Sequence, residues 1–271
     1  MAPEDPQPGK HAAAGAKAKA ERLRLDERIV AEGLADSRTL ARSLVLAGRV
    51  LVDEVPVDKP GTRVREDAAI RLKGRARRFV SRGGEKLEGA LDDLGLDPAG
   101  LACLDVGAST GGFTDCLLQR GARHVVAVDV GRAQLHEKLR SDARVSSFEG
   151  TDARDLPSLE LAPGIEPIGL VVVDVSFISI RKLLAAIAEA APGAEWLCMV
   201  KPQFEVGREH VGKGGVVRDD ALRAASADEV VAAAEGFGYR QVARSDAKLA
   251  GPKGNVEIFV HLRPASGPSA I

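Results

Sequence analysis

Four ionisable side chains stand at the carboxyl ends of short apolar runs: Leu101-Ala-Cys-Leu-Asp105, His124-Val-Val-Ala-Val-Asp129, Ile168-Gly-Leu-Val-Val-Val-Asp174 and Trp196-Leu-Cys-Met-Val-Lys201. Runs of this length and β-branched content read as buried strands, and a parallel sheet delivers such residues to the edge where ligands bind. An ionisable group there is suited to holding a ligand or moving a proton, whereas on an exposed helix it is commonly just solvated. Between the first two runs lies Gly107-Ala-Ser-Thr-Gly-Gly-Phe113, followed by an amphipathic stretch from Thr114 to Arg120. Strand, glycine turn and helix in that order let the backbone approach a ligand and point bare N–H groups at it. Asp129 is placed where an acid takes a ribose diol, so the two units together shape a site for adenosine.

Glycine spacing decides which adenosine compound fits. A dinucleotide turn needs G-x-G-x-x-G, and Ser109 occupies the second glycine position; G-K-[ST] is absent, which excludes a P-loop. Asp105 just before the turn would repel phosphate and suits a cationic ligand, and S-adenosylmethionine, with its ammonium and sulfonium, has that sign. Asp152, in Thr151-Asp-Ala-Arg154 after a third strand at Val145–Phe148, is placed to meet the adenine amino group, although a turn acid is the plainer reading. The candidate cofactor-binding residues are Asp105, Gly107, Ser109, Gly111, Gly112, Phe113, Asp129, Asp152 and Asp174.

The elements that must position these residues fit comfortably in 271 residues, 45% apolar and 28% charged, enough for one large domain and one small. A net charge of -1 hides an asymmetry: residues 10–90 carry 19 Lys and Arg against 12 Asp and Glu, and residues 91–271 carry 19 against 25. The basic front suggests a polyanionic partner, with a solvated charged face as the bland equivalent. Cys103, Cys116 and Cys198 sit in apolar stretches and read as core residues, and the scattered histidines give no metal site. Neither a membrane span nor a signal peptide is present, so a cytoplasmic protein is expected.

Residues 1–21 are low-complexity and read as a disordered tail. Leu25, Ile29 and Val30 give a short helix closed by Gly33. Asp36 or Ser37 caps a second helix with Leu40, Leu44 and Val45 inward and Gly48 at its end, and short strands follow to Leu72. Through Arg24-Leu-Asp26, Ala35-Asp-Ser-Arg38, Gly48-Arg-Val50 and Val52-Asp-Glu-Val55, residues 22–76 resemble the RNA-binding fold named after ribosomal protein S-four. The resemblance implies Arg24, Arg38, Arg42 and Arg49 as RNA contacts; Asp53-Glu54 departs from it, standing where that family commonly has a glycine turn. Residues 77–82 read as a linker, 83–263 as the α/β domain and 264–271 as a tail. The fold class is α/β, a Rossmann-like sheet, mostly parallel with the last strand antiparallel, behind a small α+β domain.

Lys86, alone after Gly83-Gly84, reads as a solvated cation, and Glu257 sits just inside the last strand, Val256–Leu262. In sequence order, however, Lys86, Asp174, Lys201 and Glu257 resemble the K-D-K-E tetrad of FtsJ-type ribose 2′-O-methyltransferases. Arg82-Gly-Gly-Glu-Lys86, Asp105 to Phe113, Asp174-Val-Ser-Phe-Ile-Ser179, Val200-Lys-Pro-Gln-Phe204 and Gly251-Pro-Lys-Gly-Asn-Val-Glu257 are similar, more narrowly, to the TlyA family. That family is named both as hemolysins and as rRNA 2′-O-methyltransferases acting on cytidine. The resemblance implies Lys201 as the base that frees a ribose 2′-oxygen. A lysine does this only as the free amine, which a neighbouring cation favours and a close carboxylate opposes, so the four groups titrate as one unit. It also implies S-adenosylmethionine as cofactor and ribosomal RNA or ribosomal subunits as partner, with neither DNA nor a membrane. Phe113, Phe177 and Phe204 are assigned to core packing, with Phe204 the exception its place after Lys201 allows. Three other readings compete: a membrane-active hemolysin, which the short strand-like apolar runs do not suit; a non-catalytic RNA-binding assembly factor, against which the tetrad stands; and an oxidoreductase, which Ser109 disfavours.

Overall fold

The computed structural model describes residues 22–35, 37–73, 78–159, 167–251 and 253–265, in two compact units, Met1–Ala76 and Arg77–Ile271. The expected N-terminal tail, most of the C-terminal one and the alternative cap Asp36 lie outside the described residues.

In the first unit, β1 (Arg22–Arg24) leads into α1 (Leu25–Ala31), and α2 (Arg38–Leu46) follows a turn through Gly33. Ser37 caps α2 by accepting from the Leu40 amide. Leu25, Ile29, Ala41 and Val45 are buried between the helices; Leu40, expected inward, is 41% exposed because Ala41 takes the facing position. β2 (Val50–Val52) pairs with β3 (Val55–Pro56) and β5 (Ile70–Leu72), while β4 (Arg63–Arg65) pairs with β1. Asp53 and Glu54 take φ +48° and +65° in the β2–β3 turn, which explains why glycine would suit those positions, and Asp53 Oδ1 accepts from the Ala69 amide.

The second unit opens on α3 (Arg82–Leu94), capped by Ser81, which accepts from the Gly83 amide. The expected linker ending at residue 82 overlaps it: Phe79 is 2% exposed in the core, and the Val80 amide donates to Asp115, so an aromatic in a basic stretch packs instead of connecting. β6 (Ala102–Val106), α4 (Gly112–Gln119), β7 (His124–Asp129), α5 (Glu137–Arg140) and β8 (Val145–Glu149) build one half of a sheet. The other half is β9 (Ile168–Val173), α6 (Leu184–Ala190), β10 (Glu195–Val200), α7 (Pro202–Glu205), α8 (Asp220–Glu235), β11 (Tyr239–Asp246) and β12 (Ile258–Pro264). The sheet order is β11-β12-β10-β9-β6-β7-β8, with β12 antiparallel to both neighbours.

Alternation along the strands sends Leu170, Val172, Leu197 and Met199 toward α3, α4 and α5, and Val171, Val173, Cys198 and Val200 toward α6 and α8. The three cysteines are buried and unbonded. Burial raises each thiol to about 12, so they are inert core residues. The chain runs outward from β6 to β8 on one side and returns to β9 for the other. The β6–β9 boundary is therefore the switch point of the sheet, where a crevice opens beyond the strand ends.

Candidate active site

Gly107 and Asp174 follow the two switch-point strands, and the Asp174 amide donates to the Val106 carbonyl at 2.9 Å. A Cβ on Gly107, at φ +91°, would lie 2.7 Å from the Asp174 carbonyl oxygen. Glycine is thus required for the two loops to meet. A cavity of about 650 Å³ opens on one side of this contact and one of about 450 Å³ on the other, sharing Gly107, Ser109, Asp174, Ser176 and Phe177.

Asp129 and Asp152 line the smaller cavity with Val130, Ile178 and Leu183. Asp129 is aimed by two amides, Ser109 N on Oδ2 at 2.8 Å and Gly131 N on Oδ1 at 2.6 Å, and each oxygen keeps lone pairs for a further donor. Ser109 adopts φ +48° to make its contact. Asp152 is held by Arg154, whose Nε donates to Oδ1 at 2.9 Å, and that hydrogen bond takes its carboxyl down to about 2. It also caps the next turn through the Arg154 amide, so it serves structure as well as lining the cavity.

Two expected ligand contacts are placed differently. Asp105 is fully buried and Gly111 is shielded, and neither lines either of these two cavities. Thr114 Oγ1 donates to Asp105 Oδ2 at 2.6 Å, and burial pushes the Asp105 carboxyl up to about 7. The carboxylates that do line the two cavities are Asp129, Asp152, Asp174 and Glu257. A Cβ on Gly111 would meet Leu139, and one on Gly112 would meet Ser81 and the Gly84 amide. These glycines let helices pack, and Gly112 lines the larger cavity as well.

The larger cavity gathers the four charged residues. Lys86, expected at the surface, projects from the second turn of α3 and is 7% exposed, with Nζ 2.9 Å from Oε1 of Glu257, itself 3% exposed. Glu257 lies one residue before β12 rather than inside it. Its Oε2 has no hydrogen-bond partner among the described residues, and a Cβ on Gly251 would lie 2.6 Å from its Oε1. Lys201 Nζ lies 2.6 Å from Asp174 Oδ1 and donates to Ser176 Oγ at 2.8 Å. Burial raises the Asp174 carboxyl, opposed by the Lys201 and Lys86 cations. The site is two ion pairs that line one cavity, Lys86–Glu257 buried and Asp174–Lys201 partly exposed.

Phe113 is buried against Phe259, as core packing requires. Phe177 contradicts its core assignment: it is 91% exposed, takes φ +67°, and stands 5.3 Å from Phe204 with both rings lining the larger cavity. Residues missed by sequence reasoning are Ser176, which lay unremarked inside the Asp174-Val-Ser motif, and Asn255. The latter is 4% exposed, accepts from the Val217 amide and donates to the Gly215 carbonyl, pinning the glycine-rich loop that borders the cavity.

In the first unit, Arg24 and Arg38 both reach Asp26, at 3.0 and 3.2 Å, and Arg38 also reaches Glu27 at 3.0 Å. The Arg24 hydrogen bond holds the buried Asp26 carboxyl below the usual range. Arg49 donates to the Lys73 carbonyl. Arg42 is exposed with no ion pair among the described residues.

Residues 79–264 match the family described as FtsJ-like methyltransferase and residues 23–70 the S4 domain. The chain is 46% identical over 246 residues to the 16S/23S rRNA (cytidine-2′-O)-methyltransferase TlyA of Mycobacterium tuberculosis, covering 90% of this chain and 91% of that one. It is 41% identical to Hemolysin A of Brachyspira hyodysenteriae, covering 88% and 99%. A solved structure of a hemolysin-named protein from Streptococcus thermophilus superposes with a TM-score of 0.66 at 37% identity, covering 93% and 91%. With an S4 domain ahead of an FtsJ-like methyltransferase domain that carries this crevice, the chain belongs to the TlyA family.

Proposed function

We propose that this protein transfers the methyl group of S-adenosylmethionine to the ribose 2′-oxygen of a cytidine in ribosomal RNA. The observation that carries the reading is the assembly of Lys86, Asp174, Lys201 and Glu257, from four separate segments, in one cavity beside the Gly107 turn. Burying the Lys86–Glu257 pair and half-burying Asp174 and Lys201 beside it is costly unless the site uses them, and a hydroxyl nucleophile needs such a site to lose its proton.

The residues present fit the cofactor. Without a Cβ at Gly107 the two switch-point loops meet at the shared edge of both cavities, the Asp129 carboxylate is oriented to accept from two ribose hydroxyls, and Val130, Ile178 and Leu183 offer an apolar wall to adenine. When bound, S-adenosylmethionine supplies a sulfonium methyl that needs no further activation, the electrons of the broken S–C bond staying with sulfur. What remains for the chain is to hold the 2′-hydroxyl in line and to take its proton.

Lys201, paired with Asp174 at rest, first gives its ammonium proton to solvent; as the free amine it then receives the proton of the 2′-hydroxyl as the 2′-oxygen forms its bond to carbon. Asp174, 2.6 Å away, stabilises the ammonium that results, and Ser176 fixes the direction of the nitrogen. The Lys86–Glu257 pair closes the far wall and orders its field. Phe177, almost wholly exposed, and Phe204, partly buried beside it, offer rings at the cavity on which the target base can stack. Arg42, together with Arg24, Arg38 and Arg49, supplies phosphate contacts from the S4 domain. Among the described residues no helix is long and apolar enough to cross a membrane, and nothing in a lytic role would explain four charged residues gathered in one cavity. A ribosomal RNA substrate also implies a cytoplasmic place of work.

Lys201→Ala is the test: transfer to ribosomal RNA should fall about 10²- to 10⁴-fold while S-adenosylmethionine affinity stays within about threefold. Undiminished transfer by this variant would remove Lys201 from the reaction.

A further inference from the structure

Glu205 is a carboxylate that the reaction above leaves unused. It ends α7, is 5% exposed, and its oxygens are engaged by a different loop: Ser179 Oγ donates to Oε2 at 2.5 Å and the Ile180 amide donates to Oε1 at 2.8 Å. Arg181 closes the arrangement, with Nε 3.4 Å from Oε2 and Nη2 donating to the Glu205 carbonyl at 3.1 Å. Its Nη1 meets Glu229 of α8 at 2.8 Å. Glu205 belongs to the segment after β10, and all these partners belong to the segment after β9.

Those two segments form the lip of the larger cavity. At their inner end they are joined by Lys201 with Asp174 and Ser176, and midway by the Phe177–Phe204 pair. Phe177 is in the left-handed region and almost wholly exposed, so neither backbone preference nor burial keeps it there. Such a residue persists only where its neighbours over-determine it, and the Glu205 bonds fix the chain within two or three residues of it.

We propose that Glu205 is a positioning residue for methyl transfer, a clasp that fastens the β9 loop to the β10 loop and so sets Ser176 and Phe177 at the mouth through which the target nucleoside enters. This rests on the reading of that cavity as the nucleoside site.

Glu205→Ala and Glu205→Gln separate geometry from charge. A glutamine can still accept from the Ile180 amide through its oxygen and donate to the Ser179 hydroxyl through its nitrogen, giving up only the Arg181 Nε contact at 3.4 Å, so it keeps the two short bonds of the clasp; alanine abolishes them. In Glu205→Ala, hydrogen exchange at amides 175–180 should accelerate at least about tenfold with the amides of β9 unchanged, and kcat at saturating cofactor and RNA should fall about 10- to 100-fold. Cofactor affinity should stay within about threefold, and Glu205→Gln should restore most of kcat. Unchanged exchange at 175–180, a kcat within twofold of the native one in Glu205→Ala, or a glutamine variant as impaired as alanine would each overturn the clasp. The exchange arm needs no turnover. If the native protein itself methylated no RNA, the functional reading would fail while the clasp was still judged by exchange.

Discussion

The Lys86–Glu257 pair allows stability and activity to be pulled apart. Its side chains are 9% and 4% exposed at 2.9 Å, and the second oxygen of Glu257 has no partner among the described residues to fall back on. Lys86→Met keeps the packed stem but leaves a buried carboxylate without its cation, and Glu257→Leu leaves the ammonium without its nearest anion. Breaking a buried pair from one side costs about 3–5 kcal/mol, whereas replacing both partners by apolar groups of similar volume is close to neutral. Each single variant should therefore lose about 3–5 kcal/mol, and the double variant should recover most of it, a coupling of about 5 kcal/mol or more. Urea unfolding followed by Trp196 fluorescence is the assay, since this one tryptophan is fully buried in β10 and reports the catalytic unit. Methyl transfer should be lost in all three variants, because the field of the quartet is gone even where the fold is rescued. Additive single losses below about 1 kcal/mol would refute the buried-pair reasoning. A double variant that regained both stability and activity would reduce the two charges to scaffolding.

Asp105 gives a pH test. Its folded carboxyl stands at about 7, above the unfolded value of about 3.9, so the neutral form is favoured by folding. That contribution is fully present below about pH 4 and is lost as pH rises through about 7. Asp105→Asn, still able to accept from Thr114, should match the native protein in acid and exceed it above neutrality. The gap should grow by roughly 1.4 kcal/mol per pH unit between about 4 and 7, and a pH-independent difference in denaturation free energy would contradict the assignment. In the S4 domain, Arg42→Glu should weaken ribosomal RNA binding and lower the slope of log affinity against log salt by about 1–2, while thermal stability holds because Arg42 has no internal ion pair among the described residues. Arg38→Ala should also lower stability, since it strips a partner from buried Asp26; equal melting temperatures for the two variants would count against that distinction.

The strand ends were legible in the sequence because parallel strands buried on both faces read as unbroken apolar runs, and Asp129, Asp174 and Lys201 close such runs. Lys86 was legible only through family resemblance. An isolated lysine after two glycines carries no local sign of burial; what buries it is Glu257, 171 residues away in sequence. Gly111 fitted the ligand pattern while serving helix packing, and Gly112 both packs and lines the larger cavity, a distinction that spacing alone does not make. Phe177 inverted its expectation because hydrophobicity predicts burial, whereas its strained turn holds the ring outward. The basic stretch before α3 hid a core aromatic, Phe79, for the converse reason: surrounding charge marked as exposed a segment that Asp115 and the core draw in.

The account is tested most directly by locating the methyl group. Ribosomal subunits incubated with the native protein and S-adenosylmethionine labelled in its methyl should gain label that resists alkaline hydrolysis of the adjoining phosphodiester and maps to the ribose of a cytidine, and Lys201→Ala should leave them unlabelled. Label on a base, or no label from a protein that binds the cofactor, would contradict it.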